Sequence, residues 1–222
     1  MAADRAKTRE ERAGELLRGV GATQPAAKLL LAPVLRRYFS MEIVGAEHVP
    51  GEGPAVLAPN HESMWDVPLL VVACPRPIVF MAKQGVFDRL DKRLFFGSLG
   101  GFPVERGARD LTAMKKALAV VRAGRALCMY PEGTRDFGGE MLPFLPGAAW
   151  IALAEGAPLV PVGIRGVAGI WPKGSRHPRR SPVRIAFGEP LRWGRERSPR
   201  TRRERAAALT GELQARVRAL RG

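Results

Sequence analysis

The stretch Ala55-Val56-Leu57-Ala58-Pro59-Asn60-His61-Glu62-Ser63-Met64-Trp65-Asp66-Val67-Pro68-Leu69-Leu70-Val71-Val72 decides how the chain is read. It opens on an unbroken apolar run, Ala55 to Ala58, which predicts a short buried strand. It closes on Val67 to Val72, which predicts the body of a helix despite Pro68. Between them a histidine and a carboxylate stand at a strand-to-helix junction. In open α/β folds the ends of the strands are where ligand chemistry collects. Asp66 lies close enough in the chain to fold back across the turn onto His61. A carboxylate on one ring nitrogen fixes the tautomer, and the other nitrogen is then able to take a proton from a hydroxyl. The same pair also suits a structural histidine with a satisfied ring, and spacing alone does not separate the two readings.

The pattern repeats outward from this stretch. Ile78 to Ala82 predicts a second buried strand, ending at Lys83. Ala126 to Tyr130 predicts a third, followed by the tight loop Pro131-Glu132-Gly133-Thr134-Arg135. Leu159 to Ile164 and Val183 to Phe187 predict two more. Met41 to Val44 reads as an edge strand, and Pro103 places the extended piece Phe102 to Arg106 at an edge as well. Helical spacing predicts helices over Ala26–Phe39, Phe87–Phe96, Leu111–Arg122, Gly147–Glu155 and Thr201–Leu220. Asp110 is a plausible N-cap for the third of these, and Gly124 its stop. A polar helix is expected over residues 1–20, broken by Gly21 to Pro25. Strands alternating with helices predict an α/β fold: a mixed, largely parallel sheet flanked by helices. The expected divisions are an N-terminal helical segment (1–40), an α/β domain (41–200) and a basic C-terminal helix (201–222).

The chain has 222 residues and a 46% apolar content, enough for a full core. Its two cysteines, Cys74 and Cys128, lie in apolar stretches and form no Cys/His cluster, so neither a zinc site nor a disulfide framework is expected. The charged start, Met1 to Lys7, does not read as a secretory signal. No apolar run reaches the roughly 20 residues of a membrane-spanning helix. The net charge of +15 is uneven: residues 41–170 balance, whereas residues 171–222 carry fifteen Lys/Arg against four Asp/Glu. Such basicity calls for an anionic partner, a membrane surface or a nucleic acid. Ala26–Phe39 joins Leu29, Leu30, Val34, Leu35, Tyr38 and Phe39 to Lys28, Arg36 and Arg37, the composition of a helix lying on a membrane. It and the basic C-terminal region are expected to dock the protein peripherally on an anionic surface.

Each of three strands thus ends in a charged loop: His61 and Asp66, Lys83, and Glu132 to Arg135. Arg106 adds a cation after a glycine-rich approach. On a parallel sheet these ends share one edge. A His-Asp pair would face several cations and a glycine loop whose amides can cradle an anion. Such a site suits a phosphate-bearing substrate with a hydroxyl to be deprotonated.

Four ordered blocks carry a resemblance: Asn60-His61 to Asp66, Phe102 to Arg106, Tyr130 to Arg135, and Val160-Pro161-Val162. They resemble the motifs of the glycerolipid acyltransferases, most of all the bacterial 1-acylglycerol-3-phosphate acyltransferases, over about residues 40–190. The resemblance implies transfer of an acyl group from acyl-CoA or acyl-carrier protein to a lysophospholipid hydroxyl, giving phosphatidic acid. It makes His61 the general base and Asp66 its orienter. Arg106, Glu132, Gly133 and Thr134 match positions linked to acceptor binding, Arg106 and Arg135 are the implied phosphate contacts, and Lys83 falls where relatives often carry a lysine. No metal or bound cofactor is implied, and the implied location is the cytoplasmic face of the membrane. There are departures. Pro103 is unusual, and Phe144-Leu145-Pro146-Gly147 lacks the lysine that many relatives carry at Leu145. Another lysolipid acceptor is therefore an alternative. From a different class, so is a nucleic-acid-binding protein using the Arg-rich C-terminus, although that region has no recognition motif and few aromatics.

Overall fold

The computed structural model describes residues 20–104, 111–135, 140–171, 175–193 and 201–222. The helix expected over residues 1–20, Glu105, Arg106 and the Asp110 cap lie outside the described residues, Val20 excepted. In chain order the elements are α1 (Gln24–Tyr38), β1 (Glu42–Val44), β2 (Ala55–Pro59), α2 (Asp66–Ala73), β3 (Ile78–Lys83), α3 (Leu90–Ser98), β4 (Gly101–Val104), α4 (Leu111–Arg122), β5 (Ala126–Cys128), α5 (Gly147–Glu155), β6 (Leu159–Arg165), β7 (Arg184–Phe187) and α6 (Arg202–Arg221). The strands form one seven-stranded sheet in the order β1-β7-β6-β2-β5-β3-β4. From β6 to β4 every pairing is parallel, whereas β7 runs antiparallel to β6 and parallel to β1. The fold is thus mixed and largely parallel, as expected. Both strands read as edges, β1 and β4, are edges, and Pro103 therefore interrupts only the rim of the sheet.

The central strands read as continuous apolar runs because both faces of the sheet are covered. Along β2, Ala55 and Leu57 enter one core and Val56 and Ala58 the other. The first core lies under α1, α2 and α3 through Leu35, Leu69, Leu70 and Phe96. The second lies under α4, α5 and α6 through Val120, Ile151, Leu209 and Leu213. The basic stretch from residue 201 is α6. It starts on a capping box between Thr201 and Glu204 and buries Ala206, Leu209, Leu213 and Val217 against the sheet. Arginines fill its outer face, and the helix is part of the α/β layers.

Helix α1 begins two residues before the expected Ala26. Pro25 sits in its first turn, where a missing N–H costs nothing. Buried Gln24 accepts from Ile78 N–H at 2.8 Å and donates to Ile78 O at 2.8 Å, standing in for a ladder partner at the start of β3. Lys28, expected on the membrane-facing side, turns inward instead. Its ammonium donates to the Cys74 carbonyl at the end of α2, where the helix dipole favours a cation, and burial lowers its pKa. Leu29, Leu30 and Val34 remain 77, 74 and 62% exposed.

Candidate active site

The parallel strands β6, β2, β5, β3 and β4 end on one edge, and the expected charged loops leave from it. His61 lies in the loop between β2 and α2. Its Nδ1 is 2.7 Å from Oδ2 of Asp66, the first residue of α2, whose side chain is fully buried. The same oxygen accepts the backbone N–H groups of Glu62 at 2.8 Å and Ser63 at 2.9 Å. Only an unprotonated oxygen accommodates three donors. Nδ1 therefore carries a hydrogen, and in the neutral ring the lone pair is on Nε2. Burial pushes the Asp66 carboxyl upward, and the His61 ring and the two amides pull the other way. The ring is 11% exposed, and the Tyr130 ring stacks on it at 4.0 Å and 26°.

Three further side chains hold the backbone around the histidine. Asn60 is buried. It donates to Ile164 O at 2.9 Å and accepts from Ile164 N–H at 2.7 Å, extending the β2–β6 ladder with a side chain. Glu132 accepts from His61 N–H at 2.7 Å through Oε1 and from Leu142 N–H at 2.8 Å through Oε2. The resemblance places Glu132 among the acceptor contacts, but the structure engages both of its carboxylate oxygens with backbone amides and leaves it 6% exposed. Its place is behind the histidine. Glu62 bonds the segment after β6 and the last turn of α6.

The rest of the Pro131–Arg135 loop is more open. Gly133 has φ +68°, a conformation that requires glycine, and Thr134 is exposed. The Gly133 amide, expected to help cradle an anion, instead donates to Tyr130 O at 3.1 Å and closes the turn. Arg135 lines a cavity of about 860 Å³ beside the His61 loop. Trp65, Phe95, Phe96 and Trp171 form its apolar part, and Arg89, Lys92 and Arg135 its cationic part. Trp171 stacks on Trp65 at 6.4 Å, and Trp65 meets Phe39 at the end of α1 at 5.7 Å. A second cavity, about 500 Å³, lies beside Pro158 and Leu191 at the opposite end of the strands. Lys83 is exposed at the end of β3. Because β5 stands between β3 and β2, it is two strand spacings, roughly 10 Å, from the His61 strand. Of the expected site residues, the structure brings together His61, Asp66 and Glu132. It sets Gly133, Thr134 and Arg135 on the adjoining loop and Lys83 further along the edge. Tyr130, Asn60, Glu62 and the cavity residues of α3 were not expected. Their one sequence signal was position, inside the first and third blocks or on the polar side of the helix after Phe87.

The acyltransferase family model matches residues 40–165, which run from just before β1 to the end of β6 and hold the whole His61 constellation. The chain belongs to the acyltransferase family. A 1-acyl-sn-glycerol-3-phosphate acyltransferase of Bacillus subtilis is 28% identical over 191 residues, 86% of this chain and 92% of that protein. A chloroplastic one of Brassica napus is 28% identical over 169 residues, 74% of this chain and 49% of that protein, so the chain spans about half the length of this plant relative. The human beta form is 34% identical over 119 residues, 49% of this chain and 40% of that protein. Among solved structures, the 1-acyl-sn-glycerophosphate acyltransferase PlsC of Thermotoga maritima superposes with a TM-score of 0.62 at 22% identity. The match covers 97% of this chain and 83% of that one, a likeness of fold.

Proposed function

We propose that this member of the family transfers a fatty acyl group from a thioester, acyl-CoA or acyl-carrier protein, to the free hydroxyl of a lysophospholipid, 1-acylglycerol-3-phosphate, to give phosphatidic acid. The observation that carries the reading is the His61–Asp66 pair. A buried carboxylate accepts a hydrogen bond from Nδ1–H, so Nε2 is the ring atom able to accept a proton. His61 removes the acceptor hydroxyl's proton as that oxygen attacks the thioester carbonyl. It then returns the proton to the departing thiolate. General-base assistance of this kind contributes about 10²- to 10⁴-fold. The matched relatives named for the same reaction support the substrate class. The adjoining cavity supports it too, with aromatic rings for an acyl chain and cations for a phosphate.

The lipid substrate requires the protein at a bilayer, and no helix among the described residues is long and apolar enough to cross one. Docking on an anionic surface is assigned to the layer of α1 and α3. Leu29, Leu30 and Val34 on α1 and Leu90, Leu94 and Phe95 on α3 are exposed there. Exposed Arg36 and Arg37 stand in the last turn of α1, and Arg180 lies 5.3 Å over the Tyr38 ring. Helix α6 covers the other face of the sheet. A bilayer against α1 leaves it about 20 Å away, beyond the roughly 8 Å over which charge acts at physiological salt. Of the basic C-terminal region expected to share the docking, Arg180 therefore lies on the proposed face beside α1, and α6 lies on the other.

One observation favours a second acceptor. Leu145, where many relatives have lysine, comes so close to Gly133 that a Cβ there would meet its Cδ1 at 3.0 Å. A methyl group thus replaces a cation over the third-block loop, and a lysolipid with a different headgroup fits that change. The test is mass spectrometry of products formed by the purified protein from mixed lysolipids with each donor. Phosphatidic acid from 1-acylglycerol-3-phosphate, lost in His61→Ala, is expected. No acyl transfer to any lysolipid, or full activity in His61→Ala, would overturn the reading.

A further inference from the structure

Glu62 follows the histidine directly, and the mechanism above does not use it. Its side chain is 5% exposed. Oε2 accepts the backbone N–H groups of Val167 at 3.0 Å and Ala168 at 3.2 Å, just beyond β6. Oε1 accepts from Arg221 Nε at 3.1 Å, and Nη2 of the same guanidinium lies 3.1 Å from it as an ion pair. Arg221 is the last residue of α6, 159 positions away along the chain. A buried carboxylate with three donors and a guanidinium beside it has both oxygens engaged, which a solvated surface glutamate does not need.

The sheet is shaped to bring Arg221 within reach. At Gly163 of β6 a Cβ would lie 2.5 Å from the Leu220 carbonyl carbon and 2.6 Å from Arg221 N, so the last turn of α6 rests on bare backbone. Arg184 on the neighbouring strand donates to Leu220 O at 2.7 Å and holds that turn from the other side. The pair also bears on the chemistry. The amide of Glu62 donates to the same Asp66 oxygen that bonds His61. Any slack in the Glu62 backbone therefore passes to the carboxylate that orients the imidazole. Burial pushes the Glu62 carboxyl upward, while the Ala168 amide and Arg221 oppose that shift and favour the anion.

We infer that Glu62 and Arg221 form a positioning pair that ties the last turn of α6 to the catalytic loop and sets the orientation of His61. The inference rests on the acyl-transfer reading for its kinetic consequence, but the tie itself can be read without activity. The experiment uses the full chain with Arg221→Gln, Arg221→Lys and Glu62→Gln. Two quantities are measured: kcat and acceptor KM, and hydrogen exchange of the amides of Glu62, Ser63, Val167 and Ala168. Arg221→Gln is expected to lower kcat by about 10²-fold, the effect of a small misplacement of a catalytic group, with acceptor KM unchanged. Exchange should quicken at those four amides and not through the rest of β6 and α6. Arg221→Lys should recover part of the loss, and Glu62→Gln should match Arg221→Gln. Unchanged kcat in Arg221→Gln, or quickened exchange spread through β6 and α6, would overturn the inference. If the wild-type protein transfers no acyl group, the acyl-transfer reading fails, and local exchange at the four amides still decides whether the tie exists.

Discussion

Replacing Asp66 with asparagine separates two explanations of how a carboxylate helps a histidine. An asparagine can present either its oxygen or its NH₂ where Oδ2 now lies. That position receives two backbone donors, Glu62 and Ser63, besides the ring. An NH₂ there would face both amides and leave them without acceptors, at about 1–3 kcal/mol each. The oxygen keeps all three bonds. The NH₂ then goes to the Oδ1 position, which is buried and has no partner among the described residues. One unpaired donor costs less than two unpaired amides, so the oxygen stays and Nδ1 keeps its hydrogen. The tautomer survives, and only the charge is lost. At 2.7 Å between nitrogen and oxygen the charge centres are about 4 Å apart, and their attraction is about 4 kcal/mol at an effective dielectric constant near 20. A full imidazolium would lose about 10³-fold in stabilisation, and a half-transferred proton about 30-fold. The expected drop in kcat lies between these limits, with the hydrogen still on Nδ1. Steady-state kinetics across pH, with the ¹⁵N shifts of His61 reporting the tautomer, measure both. A loss of about 10⁴-fold with the hydrogen on Nε2, the pattern of an inverted tautomer, would refute the reasoning.

Three more predictions concern the surroundings of the histidine and the docking face. Glu132→Gln leaves one acceptor for two backbone amides and should cost about 1–3 kcal/mol of stability by thermal denaturation. It should lower kcat and leave acceptor KM unchanged; a rise in KM alone would restore Glu132 as a substrate contact. Burial pushes Cys128 and Tyr130 well above their ordinary values, so both are neutral in the native protein. Above about pH 8.5 for the thiol and pH 10 for the phenol, the unfolded chain loses these protons first, and stability should fall as pH rises. Tyr130→Phe, which removes a buried hydroxyl without a partner among the described residues, should flatten the decline above about pH 10 in thermal melts; an unchanged slope counts against this assignment. Leu29→Ser with Leu30→Ser should weaken vesicle binding by about 10²-fold, roughly 3 kcal/mol of lost apolar contact, and should reduce the part that survives high salt. Equal loss on removing charge from α6 would place the membrane on the other face.

Much of the fold was legible because its signals are local. Buried parallel strands are short apolar runs bounded by glycine and proline, and β2, β5 and β6 stand where such runs stand. The helices Leu111–Arg122 and Gly147–Glu155 have the limits that their spacing predicts. The His61–Asp66 bond was legible for the same reason, since it spans a single turn. What was hidden is joined over long separations. That β5 inserts between β2 and β3 follows from no local pattern, and it moves Lys83 away from the histidine. Gln24 reaches Ile78 across 54 positions and Glu132 reaches His61 across 71. Such bonds join a side chain to distant backbone and impose no periodicity. Lys28 was read as a surface charge because its sequence neighbours are surface residues; the carbonyl that turns it inward belongs to another helix.

Around His61 the acidic and basic side chains occupy separate places, although the site is rich in carboxylates. Strands that end at a site leave amides and carbonyls that no further ladder can pair, and buried amides without partners are costly. Here the acidic side chains meet that need. Asp66 takes the amides of Glu62 and Ser63, Glu132 those of His61 and Leu142, and Glu62 those of Val167 and Ala168. Each is buried, with its negative charge held by fixed donors behind the histidine. The cations Arg89, Lys92 and Arg135 line the cavity in front, where Asp91 offsets Arg89. A substrate entering the cavity therefore meets positive charge first, and the carboxylates act on it only through the imidazole that they orient. In the proposed reaction, carboxylates that fix backbone and cations that line the cavity together suit a base that takes a proton from an acceptor carrying a phosphate.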